Sequence, residues 1–212
     1  MNISKYAKKK PPQPPSSSTP DFKSLSRETL EDILSDLYEK FNNVRNIIDL
    51  RMTGDSEPLV KKYKTLIENR LIEDIEEGTD GLFEALQAVR DFSGYGPVPR
   101  DQADIMLWFV ETAVYCINDF GDLYEEFYDK ADDLFLETLE FIKKHHLLNE
   151  FRDRCKKIVD DSEGLGYGFH DSVVDTYDTY FPTDKSRKKA LMKKPVPKKP
   201  VKKAKPIKPR MI

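Results

Sequence analysis

The stretch GLGYGFHD, Gly164 to Asp171, gathers the residues of this chain best suited to chemistry. Glycines at every second position look like a loop whose backbone N–H groups cradle a phosphate, and His170 beside Asp171 looks like an acid–base pair. A phosphate loop is usually fed by a strand, but the residues before Gly164 have a helical pattern. Its flanks carry the wrong charge. Asp160, Asp161 and Glu163 precede it, Asp171 and Asp175 follow, and no Lys or Arg stands between Lys157 and Lys185. Each fixed negative charge about 4 Å from a phosphate costs roughly 1 kcal/mol even in water. A calcium loop fails as well. With Asp160 first and Asp171 twelfth, the fifth position is Gly164, which has no ligand, and the sixth is Leu165, where glycine is needed. What remains for this cluster is a looser cation site from His170, Asp171 and Asp175.

A plainer reading explains more of the residues. Gly164 suits the left-handed residue just past a helix end. Gly166 and Gly168 let the chain turn sharply and pass close to a neighbour. Leu165, Tyr167 and Phe169 alternate with the glycines and can plug the corner into a core. Asp171 then falls in the first turn of a last helix, where an acid is favoured. On this reading Gly164, Gly166 and Gly168 form a structural corner with no catalytic role.

Other chemistry-bearing residues are sparse. Cys116 and Cys155 lie in apolar, helix-like surroundings without a CxxC or Cys/His cluster, and read as buried reduced thiols. His145 and His146 are adjacent, so on a helix they point about 100° apart and mark a helix end rather than a metal site. No Ser, Cys or Lys stands in a nucleophile motif. No catalytic residue and no cofactor site emerges, and the chain reads as non-enzymatic.

The elements that position these residues are helical. Apolar residues recur at steps of three and four. Leu30, Ile33, Leu34, Leu37, Phe41, Val44 and Ile48 mark a first long helix or kinked pair, with Ser26 as its cap and Glu28 in its first turn. Gly54 ends it, and Pro58 opens the next, with the stripe Leu59, Val60, Tyr63, Leu66, Ile67 and Leu71. A third helix spans about 79–92 with Leu82, Phe83, Leu86 and Val89 on one side. SGYGPVP breaks the chain at 93–99. The segment 101–120 is apolar around most of its circumference, which predicts a central position. Three further helices follow, the last carrying Val173, Val174, Tyr177 and Phe181. The expected fold is all-α, with about seven or eight helices in antiparallel hairpins and a helical-repeat-like stack.

Charge divides the chain differently. The whole carries −3; residues 1–20 carry +4 and residues 183–212 carry +12, which leaves −19 on the body between them. Ten of the 14 prolines lie in the two ends. The ends lack a periodic apolar pattern, so 1–22 and 183–212 read as disordered basic segments around an acidic helical domain, 23–182. No uninterrupted run approaches ~18 apolar residues and the N-terminus has no apolar leader, so neither a membrane span nor a secretory signal is expected, and the default location is cytoplasmic.

The basic tail KKPVPKKPVKKAKPIKPR carries Lys193, Lys194, Lys198, Lys199, Lys202, Lys203, Lys205, Lys208 and Arg210. Extended by its prolines, it suits nonspecific contact with nucleic acid or the ribosome. It lacks aromatic residues for base stacking. The leading expectation is a helical interaction module whose acidic body binds another protein. The rivals are an enzyme or metal site around His170 and Asp171, and a self-associating module with tails on bodies.

One resemblance stands out. The run YCINDFGDLYEEFYDKADDLFLETLEFIKKHHLLNEFRDRCKKIVDDSEGLGYGFHDSVVDTYDTYF, 115–181, resembles the C-terminal part of an uncharacterised family of small all-helical bacterial proteins, a domain of unknown function. LSDLYEKFNNVRNIIDLRM, 34–52, is similar to its N-terminal part. The resemblance covers about 24–181 and implies a helical domain of those limits. It brings no activity, cofactor or catalytic residue, and the Lys/Pro tail lies outside it.

Overall fold

A computed structural model describes residues 21–72, 80–121 and 123–182. They hold eight α-helices: α1 (Arg27–Lys40), α2 (Asn42–Thr53), α3 (Glu57–Ile72), α4 (Asp80–Gly94), α5 (Pro99–Phe120), α6 (Glu125–Lys144), α7 (Leu148–Asp161) and α8 (Phe169–Tyr180). No strand occurs among the described residues. The expectations for 1–20 and 183–212, including every tail residue from Lys193 to Arg210, fall outside them. The chain divides into two compact units, the first ending at Met52 and the second beginning at Thr53.

In the first unit, the Ser26 hydroxyl accepts the Thr29 N–H at 3.1 Å and caps α1. Helix α1 stops at Phe41, whose φ of −123° and ψ of 112° are extended. Asn42 and Asn43 follow, residues that favour helix starts over interiors. Arg45 reaches back to the Glu39 carbonyl at 3.3 Å, satisfying one of the orphan acceptors at the end of α1. The same guanidinium lies 5.2 Å from the Tyr38 ring centroid, and the Tyr38 hydroxyl donates to Asp49 at 2.8 Å. The elbow is therefore polar. The apolar stripe is not packed away: no residue of α1 or α2 is buried.

The second unit has a core, and α5 runs through it. Thirteen of its 22 residues are buried, spread around the helix, and α5 contacts α3, α4, α6 and α7. The expectation of a central helix holds here because the burial is nearly circumferential. Val98 and Pro99 start it, after Gly96 at φ +70°, and Gly121 at φ +82° closes it. Helix α3 brings Leu59, Tyr63, Ile67 and Leu71 to the core, and α4 brings Leu82, Ala85, Leu86, Ala88, Val89 and Phe92. Leu66 and Phe83 were expected on these stripes but face outward. Phe83 is 44% exposed, while Ala85 and Ala88 are buried on the core side of α4.

Candidate functional site

The corner at Gly164–Asp171 is built by the end of α7 and the start of α8. Ser162 caps α7, its N–H bonding the Ile158 carbonyl at 3.0 Å, and Gly164 takes φ +84° two residues beyond. Gly168, at φ +73°, is the N-cap of α8. Gly166 does not adopt the left-handed region; Tyr167 does, at φ +56°. The left-handed conformation expected of Gly164 is present. Tyr167 is offset by its ring, which lies 4.9 Å from that of Tyr128. Tyr167 is 63% exposed, so it lies over the corner, while Phe169 at 3% is the true plug. The expected close approach at Gly166 and Gly168 is absent, since a Cβ added at either would meet nothing within 4 Å.

His170 is half-buried, and its Nδ1 lies 2.9 Å from the Ser162 hydroxyl. That hydroxyl, fully buried, also donates to the Val159 carbonyl at 2.7 Å. A serine has one hydroxyl proton, so both bonds form together only if the imidazole Nδ1–H is the donor. Ser162 is thus a structural acceptor, closed to any substrate. It is the residue that sequence reasoning passed over, because nothing in its spacing distinguishes it from an ordinary helix-end serine. Asp171 and Asp175 are exposed. Among the described residues, no group of three or more His, Cys, Asp or Glu is gathered to hold a metal ion. His145 caps α6, and His146 takes φ +62° beyond it, as adjacent histidines at a helix end should.

Both cysteines are buried, and burial pushes each thiol up to about 12, so neither is a thiolate at neutral pH.

A charged network on the outer face of α5 was not legible in the sequence. Arg154 of α7 donates Nε and Nη2 to the two oxygens of Glu111, at 2.8 and 2.7 Å, and Nη1 to Asp104 at 2.6 Å. Lys64 of α3 donates to the same Asp104 at 2.9 Å. Two cations thus bind two carboxylates of α5 from either side. Burial opposes ionisation of Asp104, but the hydrogen bonds from Lys64 and Arg154 outweigh it and hold the carboxyl below its usual range. Lys64 also lies 5.0 Å from the Trp108 ring centroid, while the Trp108 indole N–H donates to the Lys64 carbonyl at 3.1 Å.

Glu111 and Trp108 of this network line a groove along α5. One cleft of about 280 Å³ is lined by Glu68, Ile72, Trp108, Glu111, Thr112 and Tyr115. A second, of about 350 Å³, is lined by Glu111, Val114, Tyr115, Asn118 and Asp161. They share Glu111 and Tyr115, so they adjoin. The positions 108, 111, 115 and 118 repeat at helical spacing, which places them on one face of α5. The charge of Asp119, followed by burial, raises the pKa of Tyr115, so its hydroxyl stays protonated in an anionic setting.

Two outcomes test this geometry. Gly164→Ala and Gly168→Ala should each cost about 1 kcal/mol, because only their φ is unfavourable to an L side chain. Gly166→Ala should be neutral or slightly stabilising; denaturant unfolding of the three variants decides it. Asp104→Asn should weaken the fold at pH 7. A depressed folded-state pKa adds stability that is full above about pH 4 and is lost as the pH falls through the depressed value. The penalty of Asp104→Asn should therefore shrink in acid, read from unfolding midpoints across that range. A penalty constant with pH would show that Asp104 is not held ionised.

No curated protein and no solved structure matches the chain. The chain belongs to a family of unknown function, DUF6155, whose model matches residues 20–172.

Proposed function

We propose that the protein is a non-enzymatic helical interaction module that binds another protein. The observation that carries this is the uncovered stripe of α1 and α2. Ile33 and Leu34 of α1 are 42% and 52% exposed, Phe41 between α1 and α2 is 49% exposed, and neither helix buries a residue. Amphipathic helices gain most of their stability by packing that face, so a stripe left in water favours a partner that covers it. A crease of about 290 Å³ between the two helices, lined by Leu34, Ser35, Tyr38, Glu39 and Ile48, offers a seat for a side chain of that partner.

The acidic body favours a partner with a basic surface, because opposite potentials steer encounter. Leu34→Ser combined with Phe41→Ser should leave the helical content and melting temperature close to wild type and abolish co-purification of that partner from the protein's own cells. Unchanged co-purification by the double variant would remove the basis of this reading.

The +12 tail supports a second contact, with the phosphates of nucleic acid or the ribosome. Each phosphate neutralised on duplex DNA adds about 0.9 to the slope of log affinity against log salt. Replacing its lysines by glutamine should flatten that slope, and equal affinity at every salt concentration would sink it.

A further inference from the structure

The groove on α5 combines three properties. Two aromatic rings line it: Trp108, held by Lys64 from both its N–H and its ring face, and Tyr115, half exposed, with its hydroxyl 3.4 Å from Asp119. Ile72 and Thr112 line it beside them. Its carboxylates differ in occupation. Glu111 is taken by Arg154 and Asp161 by Lys157, whereas Glu68 makes no ion pair among the described residues, nor does Asp119, which lies outside the lining and accepts from the Tyr115 hydroxyl. A groove of this kind suits an extended segment in which prolines alternate with lysines. Proline rings are already ordered and lie flat on aromatic rings, and the lysines between them meet carboxylates on the rim.

Such a segment exists in this chain. Residues 193–210 place Pro195, Pro197, Pro200, Pro206 and Pro209 among lysine pairs, and they contain the spaced pairs Pro197/Pro200 and Pro206/Pro209. Residues 183–193 can span at most ~40 Å. That is longer than the ~33 Å of α5. Charge complementarity is strong: residues 193–210 carry +9, against −19 on residues 21–182.

We infer that the Trp108–Tyr115 groove is the docking site for the Lys/Pro segment 193–210. The contact is specific, through proline on aromatic and lysine on Glu68 and Asp119, and it is separate from the α1–α2 stripe. Seated there, the tail withholds its lysines from other anions.

The chain holds one tryptophan, Trp108, so its fluorescence reports the groove without interference. In the full chain, raising salt from about 0.1 M to about 1 M, over which the Debye length falls from roughly 10 to 3 Å, should shift Trp108 emission as the tail leaves. Serine at Pro197, Pro200, Pro206 and Pro209, with every lysine kept, should remove that salt response. Carbodiimide should cross-link tail lysines to Glu68 and Asp119. Tyr115→Ala should lower the yield about tenfold, as loss of one anchoring aromatic does, and Tyr115→Phe should restore it. Yield independent of protein concentration assigns the contact to the chain's own groove; yield rising with concentration assigns it to a second copy, and either supports the site. Cross-links spread over all exposed carboxylates, or an unchanged salt response after the proline substitutions, would overturn it in favour of diffuse charge attraction. Because Leu34 and Phe41 take no part, failure here leaves the α1–α2 reading standing.

Discussion

The larger unit is organised by the need to keep α5 out of water. A helix apolar on most of its circumference has to be surrounded, and α3, α4, α6 and α7 do this. Burying a full Leu, Ile or Phe side chain is worth roughly 1.5–3 kcal/mol, and α5 contributes Ile105, Leu107 and Phe109 with no exposed surface. The difficulty lies in the polar residues that the same helix must carry. Asp104 and Glu111 interrupt its apolar surface. Their charges are tolerable only because Lys64 and Arg154 arrive from the flanking helices with their hydrogen bonds directed at them.

That pairing ties three helices together and also shapes the groove. Arg154 pairs with Glu111, the one carboxylate shared by both clefts. Lys64 fixes the plane of Trp108. What is left facing outward is a pair of aromatic rings with carboxylates at the rim. A surface of this composition follows from the way the core charges are satisfied. The corner at GLGYGFHD answers the same kind of demand at the other end of α7. Two left-handed glycines turn the chain, Phe169 fills the interior, and Ser162 and His170 satisfy each other.

Much of the architecture was legible along the chain. The helix limits near Ser26, Pro58, Pro99 and Gly121 follow from local capping and breaking, and the central place of α5 follows from apolar residues on most of its faces. Leu66 and Phe83 were misassigned because a stripe of three-and-four spacing is wider than the arc a neighbour covers. Tyr167, expected to plug the corner, lies over it with its ring against Tyr128, a residue nearly forty positions away.

The sequence alone determined the all-helical class, the charge division between ends and body, and the presence of a glycine corner. These depend on periodicity, net charge and backbone freedom, which are properties of neighbours in the chain. Only the tertiary structure decided that Ser162 is the partner of His170, that Asp104 and Glu111 share Arg154, and that Trp108 and Tyr115 line one groove. Hydrogen bonds and ring contacts between helices depend on rotation and approach within a few tenths of an ångström. Those are set when α3, α5 and α7 pack, and no spacing within a single helix encodes them.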